Sequence, residues 1–486
     1  MLKTVLHTAN SKIKFDAFKE KVLDDYKLVV LSRECSLLGR KEVLSGKAKF
    51  GVFGDGKELP QVVLNHFFKE GDFRSGYYRD QTILIGQNLL TPTQYFSALY
   101  ANPNIKEEPM SGGRQMSAHF VTPSIDERGE WLDLTSQYNH SSDISPTAGQ
   151  IPRSIGLALA SKIYRKMDSE IKNKFTVNGN EICWATIGNA STSQGMFFEA
   201  MNAASIIQVP LIMSVWDDGY GISVENKFQT VKSSISEALL GFSSVSEDKP
   251  LKIFRVNGWD YSKMVEVYSE AEEIARKHHT PVLIHIDELT QPLGHSSSGS
   301  HQRYKSVERL QWEREFDCNL KFKQWIIENN LGTQDELREI ENTCKNIVME
   351  SKSKAWESYQ KPIKNLNLEL IEILNKILRN SNNDVNLKIW IESLKNKKEL
   401  IYKDLLQVAK KTIRKFIKNN SEDIIPLKNW VKNLNNKLEH KFSSHLYSQT
   451  KFRSKNIEPI MPKYENDEMV DGRIIIRDNF RSLMKK

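Results

Sequence analysis

The sequence predicts an α/β fold around a mostly parallel sheet, followed by an α-helical extension. Three observations carry this. Residues 150–290 alternate short apolar, β-branched runs with amphipathic segments across short connections, the pattern of strands joined by crossover helices. Beyond about residue 340 the texture changes to Lys, Asn, Ile and Leu, with the apolar residues at helical spacing. No glycine occurs between Gly332 and Gly472 to interrupt such helices.

The elements follow in order. "SIGLALASKIYRKM" (Ser154–Met167) has helical spacing, and "EICWATIG" (Glu181–Gly188) is an apolar run closed by glycine, a buried strand. "GMFFEAMNAASIIQ" (Gly195–Gln208) reads as a helix and "VPLIMSVW" (Val209–Trp216) as a second buried strand. "KIFRVNG" (Lys252–Gly258) and "PVLIHID" (Pro281–Asp287) supply two more strands, separated by the amphipathic helix "SKMVEVYSEAEEIARKH" (Ser262–His278). We expect a first domain over residues 1–345, a basic helical extension or linker over 346–455, and a distinct terminal stretch over 456–486.

Composition bounds the classes. With 486 residues, 39% of them hydrophobic, the chain can bury a large core. No window approaches the unbroken apolar stretch of about 18 residues that a membrane span needs. The first twenty residues, "MLKTVLHTANSKIKFDAFKE", lack the apolar core and cleavage site of a signal peptide. Cys35, Cys183, Cys318 and Cys344 show no paired spacing, which fits reduced thiols. Together these lead us to expect a cytoplasmic protein with no membrane partner. The net charge of +8 is uneven: residues 351–486 hold 29 Lys and Arg against 16 Asp and Glu. The basic residues alternate with acids and with apolar residues at helical spacing, so a solvated helix face is favoured over a nucleic-acid surface.

One segment carries chemistry. In "IMSVWDDGYGIS" (Ile212–Ser223), Asp217 and Asp218 follow a buried strand and precede a Gly-Tyr-Gly turn. Ligands of open parallel sheets bind beyond the carboxyl ends of the strands. The preceding strand ends in "GNASTSQG" (Gly188–Gly195), whose small residues let backbone N–H groups approach a phosphate at the start of the next helix. A carboxylate beside a phosphate cradle suits magnesium, which binds a few protein oxygens and its ligand's phosphates. The plainer reading is that the two aspartates open a surface turn made by Gly219. Spacing alone leaves the two readings even.

The residues also match a family. "IGNASTSQGMFFEAMNAASIIQVPLIMSVWDDGYGIS" (Ile187–Ser223) resembles the thiamine-diphosphate motif of alpha subunits of 2-oxo acid dehydrogenases, the decarboxylating components of the pyruvate and branched-chain complexes. Gly188, Glu199, Ala200 and Asn202 match the pattern, while Asn189 stands where the family has an acid and Ala190 where it has glycine. Asp217-Asp218 replaces the family's Asn-Asn pair, so Asp218 takes the metal-ligand position. One carboxylate and one amide are kept with their positions exchanged. The resemblance implies that magnesium is held by Asn189, Asp218 and the Tyr220 carbonyl, and that Gly188, Asn189, Ala190 and Ser191 line the cofactor. It covers roughly residues 49–306. "YYRDQTILIG" (Tyr77–Gly86) resembles the segment whose Tyr and Arg bind the diphosphate, here Tyr78 and Arg79. Without the resemblance, an ion pair of Arg79 with Asp80 is the simpler reading. "SGGRQMSAHF" (Ser111–Phe120) matches a further family segment, and "ISPTAGQIPRSIGLA" (Ile144–Ala158) implies cofactor contacts for Ser145 and Thr147. "PLGHSSSGSHQRYKS" (Pro292–Ser306) resembles the active-site loop, which makes His295 the catalytic histidine. Without the resemblance, a solvated loop histidine is the simpler reading. Gln291-Pro292 stands where relatives carry Tyr-Arg, so a cationic contact is missing or moved. "FGDGKE" (Phe53–Glu58) contains a literal Gly-Asp-Gly, which we read as a turn, with an entrance-loop role for Lys57 or Glu58 as the alternative.

The resemblance implies the thiamine-diphosphate-binding fold. It also implies oxidative decarboxylation of a 2-oxo acid, acyl transfer to a lipoyl acyltransferase, and a dehydrogenase beta subunit or half that completes the site in a hetero-oligomer or fused dimer. "MVDGRIIIRDNFRSLMKK" (Met469–Lys486) looks like the start of such a beta half. The altered Asn189-Ala190 and Gln291-Pro292 positions support a second reading, a non-catalytic homologue that scaffolds or regulates such a complex.

Overall fold

The computed structural model describes residues 12–168, 170–243, 251–417, 422–443, 451, 456–458 and 469–484. It contains two compact units, Met1–Ser124 with Trp131–Leu446, and Ile125–Glu130 with Tyr447–Lys486.

The first unit is built on a six-stranded sheet, parallel throughout, in the order β2-β1-β3-β4-β8-β7. Its strands are β1 (Phe73–Ser75), β2 (Asn139–His140), β3 (Cys183–Gly188), β4 (Leu211–Trp216), β7 (Lys252–Asn257) and β8 (Val282–Asp287). Between β4 and β7 a short antiparallel hairpin pairs β5 (Tyr220–Gly221) with β6 (Val224–Glu225). The four strands read from the sequence are β3, β4, β7 and β8, each shorter by one or two residues. β1 and β2 were not anticipated: runs of three and two residues carry no periodicity, and their pairing with β3 and with each other makes them strands.

Side-chain alternation sorts the central strands onto two cores. Trp184, Ile212 and Trp216 face one core, shared with α1 (Lys12–Leu44), α2 (Glu58–Asn65) and the helix that follows β7. Cys183, Ala185, Met213 and Val215 face the other, covered by α3 (Gln150–Lys166) and α4 (Gly195–Ile207). The helix after β7 is α5 (Tyr261–His278), capped where Asp260 accepts from Lys263 N at 3.0 Å. The helices Ser154–Met167, Gly195–Gln208 and Ser262–His278 read from the sequence correspond to α3, α4 and α5. Covering helices on both faces of an all-parallel sheet explain why β4 and β8 are buried along their whole length and β3 along all but Gly188.

After α6 (Val307–Glu315), the chain enters α7 (Gln334–Asn380), 47 residues opened by a capping box between Thr333 and Glu336. The expected boundary between residues 345 and 346 falls inside this helix. Val348 and Ala355, beyond that point, still fill the first core. From Ile363 onward α7 joins α8 (Val385–Asn396), α9 (Tyr402–Phe416) and α10 (Ile424–Phe442) around a third core containing Leu370, Leu387, Leu405 and Leu427. Lys361 and Lys364 flank buried Ile363 and are exposed, so this part of the basic excess sits on solvated faces. No described helix is long and apolar enough to cross a membrane. All four cysteines are free and buried.

The second unit holds a turn in which Asp126 N donates to Glu130 O at 2.9 Å, and the helix α11 (Gly472–Met484) with Ile476 and Phe480 exposed.

Candidate functional site

A parallel sheet puts the exits of all its strands on one edge. Arg79 follows β1, Ser145 follows β2, Asn189 follows β3, Asp218 follows β4 and His295 follows β8. Every residue singled out from the sequence as a cofactor or metal contact therefore leaves the sheet on the same side.

At the β4 exit the two aspartates part. Asp217 is 5% exposed and turned inward. Its carboxylate accepts from Gly219 N at 2.7 Å, from Asn226 Nδ2 at 2.9 Å on both oxygens, and from His285 Nε2 at 2.9 Å. His285 lies on β8, and its Nδ1 meets Ser236 Oγ at 2.8 Å. Asp217 is thus a structural anchor. Asp218 turns the other way. Its Oδ1 accepts from Tyr220 N at 3.1 Å and its Oδ2 from Lys57 Nζ at 2.8 Å. The backbone carbonyl of Asp218 accepts from Arg309 Nη2 at 2.7 Å. Arg309 is aimed there by the start of α6, where Ser306 Oγ accepts from Arg309 N at 3.1 Å. Burial opposes ionisation of Asp218, yet the charge and hydrogen bond of Lys57, then Lys305 and Arg79, outweigh it and hold the carboxyl below the usual carboxylate range.

Lys57 comes from the Gly-Asp-Gly turn at the start of α2. It is 1% exposed, and its ammonium also donates to Gln291 Oε1 at 2.6 Å and Thr290 O at 3.1 Å. Gly56, at φ +81°, makes this approach possible, because a Cβ there would overlap the Thr290 carbonyl. The segment read as a turn is one, and it delivers a cation to the carboxylate. Gln291, at the position where relatives carry Tyr and next to Pro292 at their Arg position, takes the other side of that ammonium.

At the β3 exit Asn189 is buried, and its Nδ2 donates to Tyr220 O at 3.2 Å and to Asn226 Oδ1 at 2.6 Å. Asn226 is oriented by Asp217, so a chain of hydrogen bonds runs from His285 through Asp217 and Asn226 to Asn189. In this arrangement Asn189 shows its amide nitrogen, not its oxygen, to the Tyr220 carbonyl. Ala190 packs where Gly221 has no side chain, and Gly188 lies beneath the Tyr77 ring edge. Ser191 accepts through its carbonyl from Gln194 N at 3.2 Å, closing the turn into α4.

Arg79 is not paired with Asp80. Asp80 is fully buried and belongs to Arg74, at 2.9 Å, with Thr186 and Trp216. Arg79 instead donates to the carbonyls of Phe53 and, at 2.8 Å, His295. Its guanidinium lies over the Tyr78 ring, 5.4 Å from the centroid. Burial, then the charge of Arg79, push the His295 imidazole down to about 4, so it is neutral at pH 7. Ser145 Oγ meets His119 Nε2 at 2.9 Å, and His119 stacks on Tyr78 at 6.3 Å. Thr147 is exposed on the turn leading into α3.

The model of the family described as "Dehydrogenase E1 component" matches residues 26–364. The chain belongs to this family. Among curated relatives of the dehydrogenase E1 component family, the "2-oxoisovalerate dehydrogenase subunit alpha" of Bacillus subtilis (strain 168) is 27% identical over 338 residues, 68% of this chain and 88% of the relative. The "Pyruvate dehydrogenase E1 component subunit alpha" of Rickettsia bellii (strain RML369-C) is 27% identical over 203 residues, 42% of this chain and 55% of its own length. The "Pyruvate dehydrogenase E1 component subunit alpha, mitochondrial" of Dictyostelium discoideum is 25% identical over 326 residues, 67% of this chain and 74% of the relative. Membership covers the sheet, the carboxyl-edge loops and α7 as far as Lys364. It accounts for the thiamine-diphosphate-type architecture of the first unit.

Among the described residues no group of three or more His, Cys, Asp or Glu side chains could hold a metal. A metal in this E1-family chain would rest on a mixed set of hard oxygens: the Asp218 carboxylate, the Tyr220 carbonyl and, after rotation of its amide, Asn189. The donor chemistry fits magnesium, and the Lys57 ammonium shows that positive charge is accommodated at Asp218 Oδ2. Sequence reasoning gave Lys57 only a secondary role and missed Arg309 and Asn226. The Lys57–Asp218 contact spans 161 residues, beyond the reach of any local pattern.

Proposed function

We propose that this chain is the alpha part of a thiamine-diphosphate- and magnesium-dependent 2-oxo acid dehydrogenase. It would decarboxylate a 2-oxo acid oxidatively and pass the acyl group to a lipoyl acyltransferase, working in the cytoplasm with a beta subunit or half. The observation that carries this reading is the meeting of Asp218, the Tyr220 carbonyl and Asn189 at the sheet's carboxyl edge, with Arg79 and His295 also leaving the sheet there. When bound, thiamine diphosphate supplies the electron sink for decarboxylation.

The chain's own groups divide the remaining work. Arg79 holds two backbone carbonyls with donors suited to a diphosphate, so it exchanges neutral acceptors for anionic ones on loading. Asp218, the Tyr220 carbonyl and Asn189 would hold a magnesium ion through their oxygens, and the ion would supply positive charge to the cofactor's diphosphate. His295, neutral at physiological pH, has a free base form to accept a proton or to donate one hydrogen bond to phosphate or substrate. Tyr78 and His119 stack beside Ser145 and form an aromatic wall.

Two features support a required partner. Phe198 and Ile206 on α4, and Phe228 and Val231 after the hairpin, are large exposed apolar side chains on elements that leave the candidate site. The assay is carbon dioxide release from pyruvate and branched-chain 2-oxo acids with an artificial electron acceptor. Turnover is expected only when a beta part is added, and robust turnover by the chain alone would refute that division. The non-catalytic reading gains one observation, the Lys57 ammonium on the very oxygen a metal would use. Calorimetry with thiamine diphosphate and magnesium separates the two, because a scaffold would take up neither.

A further inference from the structure

We propose that Lys57 is the resident cation of the Asp218 site: its ammonium holds Oδ2 until a divalent metal takes that oxygen, and it thereby sets the metal affinity. This inference rests on the reading that a metal binds at Asp218. The geometry makes Lys57 a competitor and not a bystander. Its Nζ lies 2.8 Å from Oδ2, leaving that oxygen no free approach from the Lys57 side. It is also built to stay nearby after displacement. Gln291 Oε1 at 2.6 Å and Thr290 O at 3.1 Å are neutral acceptors, so an ammonium released by Asp218 keeps two of its three partners. The backbone beneath is fixed by the Gly56 turn packed against Thr290. A metal and an ammonium sharing one half-buried carboxylate would repel strongly at such separations. Loading therefore has to shift Lys57 toward Gln291.

The arrangement also stabilises the metal-free form of the chain. A half-buried carboxylate with no cation costs several kcal/mol. Lys57 removes that cost without metal, and the relief is subtracted from the gain on metal binding. Lys57→Met and the more conservative Lys57→Gln should both tighten metal uptake.

The test uses the full chain with thiamine diphosphate, titrated with manganese(II) and read as free ion by electron paramagnetic resonance. Lys57→Met and Lys57→Gln are expected to bind manganese about tenfold more tightly than wild type, the size of a lost competing contact. Asp218→Ala should lose the site. The urea midpoint of each variant, with and without manganese, gives a second readout: the lysine variants should start lower and gain more on metal addition than wild type. Unchanged or weaker binding in both lysine variants, with wild-type uptake still dependent on Asp218, overturns the inference and leaves the metal reading intact. No Asp218-dependent uptake in any of these proteins overturns both.

Discussion

Asp217→Ala and Asp218→Ala should fail in opposite ways. Asp217 is 5% exposed and satisfies three donors: Gly219 N, Asn226 Nδ2 and His285 Nε2. Removing its carboxylate leaves all three without their acceptor in a dry setting. Each buried unsatisfied donor costs about 1–3 kcal/mol, and partial rearrangement of His285 and Asn226 offsets some of that. We expect a loss of about 3–5 kcal/mol, within the range for breaking a buried charged network. Asp218 is held by Lys57 and Tyr220 N, and Lys57 keeps two other acceptors after truncation. Its loss should cost about 1–2 kcal/mol. Urea unfolding followed by far-ultraviolet circular dichroism measures both. Metal binding should rank them in reverse: Asp218→Ala abolishes uptake, while Asp217→Ala only weakens it by releasing Asn226 and hence Asn189. Equal stability losses, or equal effects on metal uptake, would refute this division of labour.

Three further outcomes follow from the geometry. His295 has a folded pKa of about 4 against an ordinary value of 6.5, so below about 6.5 the unfolded chain takes up a proton that the folded chain refuses. Its contribution is constant above pH 6.5 and becomes progressively unfavourable as pH falls toward 4. His295→Gln should therefore lose less urea stability than wild type across that window, and identical pH profiles would reject the shift. Gly56→Ala forces a side chain into a positive-φ turn against the Thr290 carbonyl, and should cost at least about 1 kcal/mol while disturbing Lys57; urea midpoints report it. Leu405→Ala removes a fully buried side chain from the third core. It should cost about 2–5 kcal/mol on unfolding, yet leave calorimetric binding of thiamine diphosphate unchanged.

The central strands were legible in the sequence because β3, β4 and β8 are covered on both faces and are therefore dominated by apolar residues. The helices α3, α4 and α5 were legible because each hides one face only. β1 and β2 were not, since strands of three and two residues depend on their neighbours. At the site, the strand exits pointed to the Asp217-Asp218 pair and the Gly188–Gly195 loop, while Asn189 and Asp218 were singled out only through the family resemblance. Which aspartate turns toward Lys57 and which toward His285 could not be read from the adjacent pair, because His285 and Asn226, which claim Asp217, lie 68 and 9 residues away. Arg79 next to Asp80 looked like a local pair. Burial decided otherwise, since Arg74 lies fully inside and takes Asp80 for itself.

α7 passes through two cores without a break, and that fixes where the chain can be shortened. A cut after Lys345 would strip Val348 and Ala355 from the sheet-bearing core and leave voids between α1 and the sheet's covering layer. Pro362 marks a better seam. It has no N–H for the Ser358 carbonyl, so the helical ladder is already interrupted there, and the first residue of the third core, Ile363, comes directly after. The family match ends at 364, at the same turn. A trimmed protein ending near Gln360 should keep the whole dehydrogenase core, and the helices beyond could be exchanged for another appendage as a single cassette.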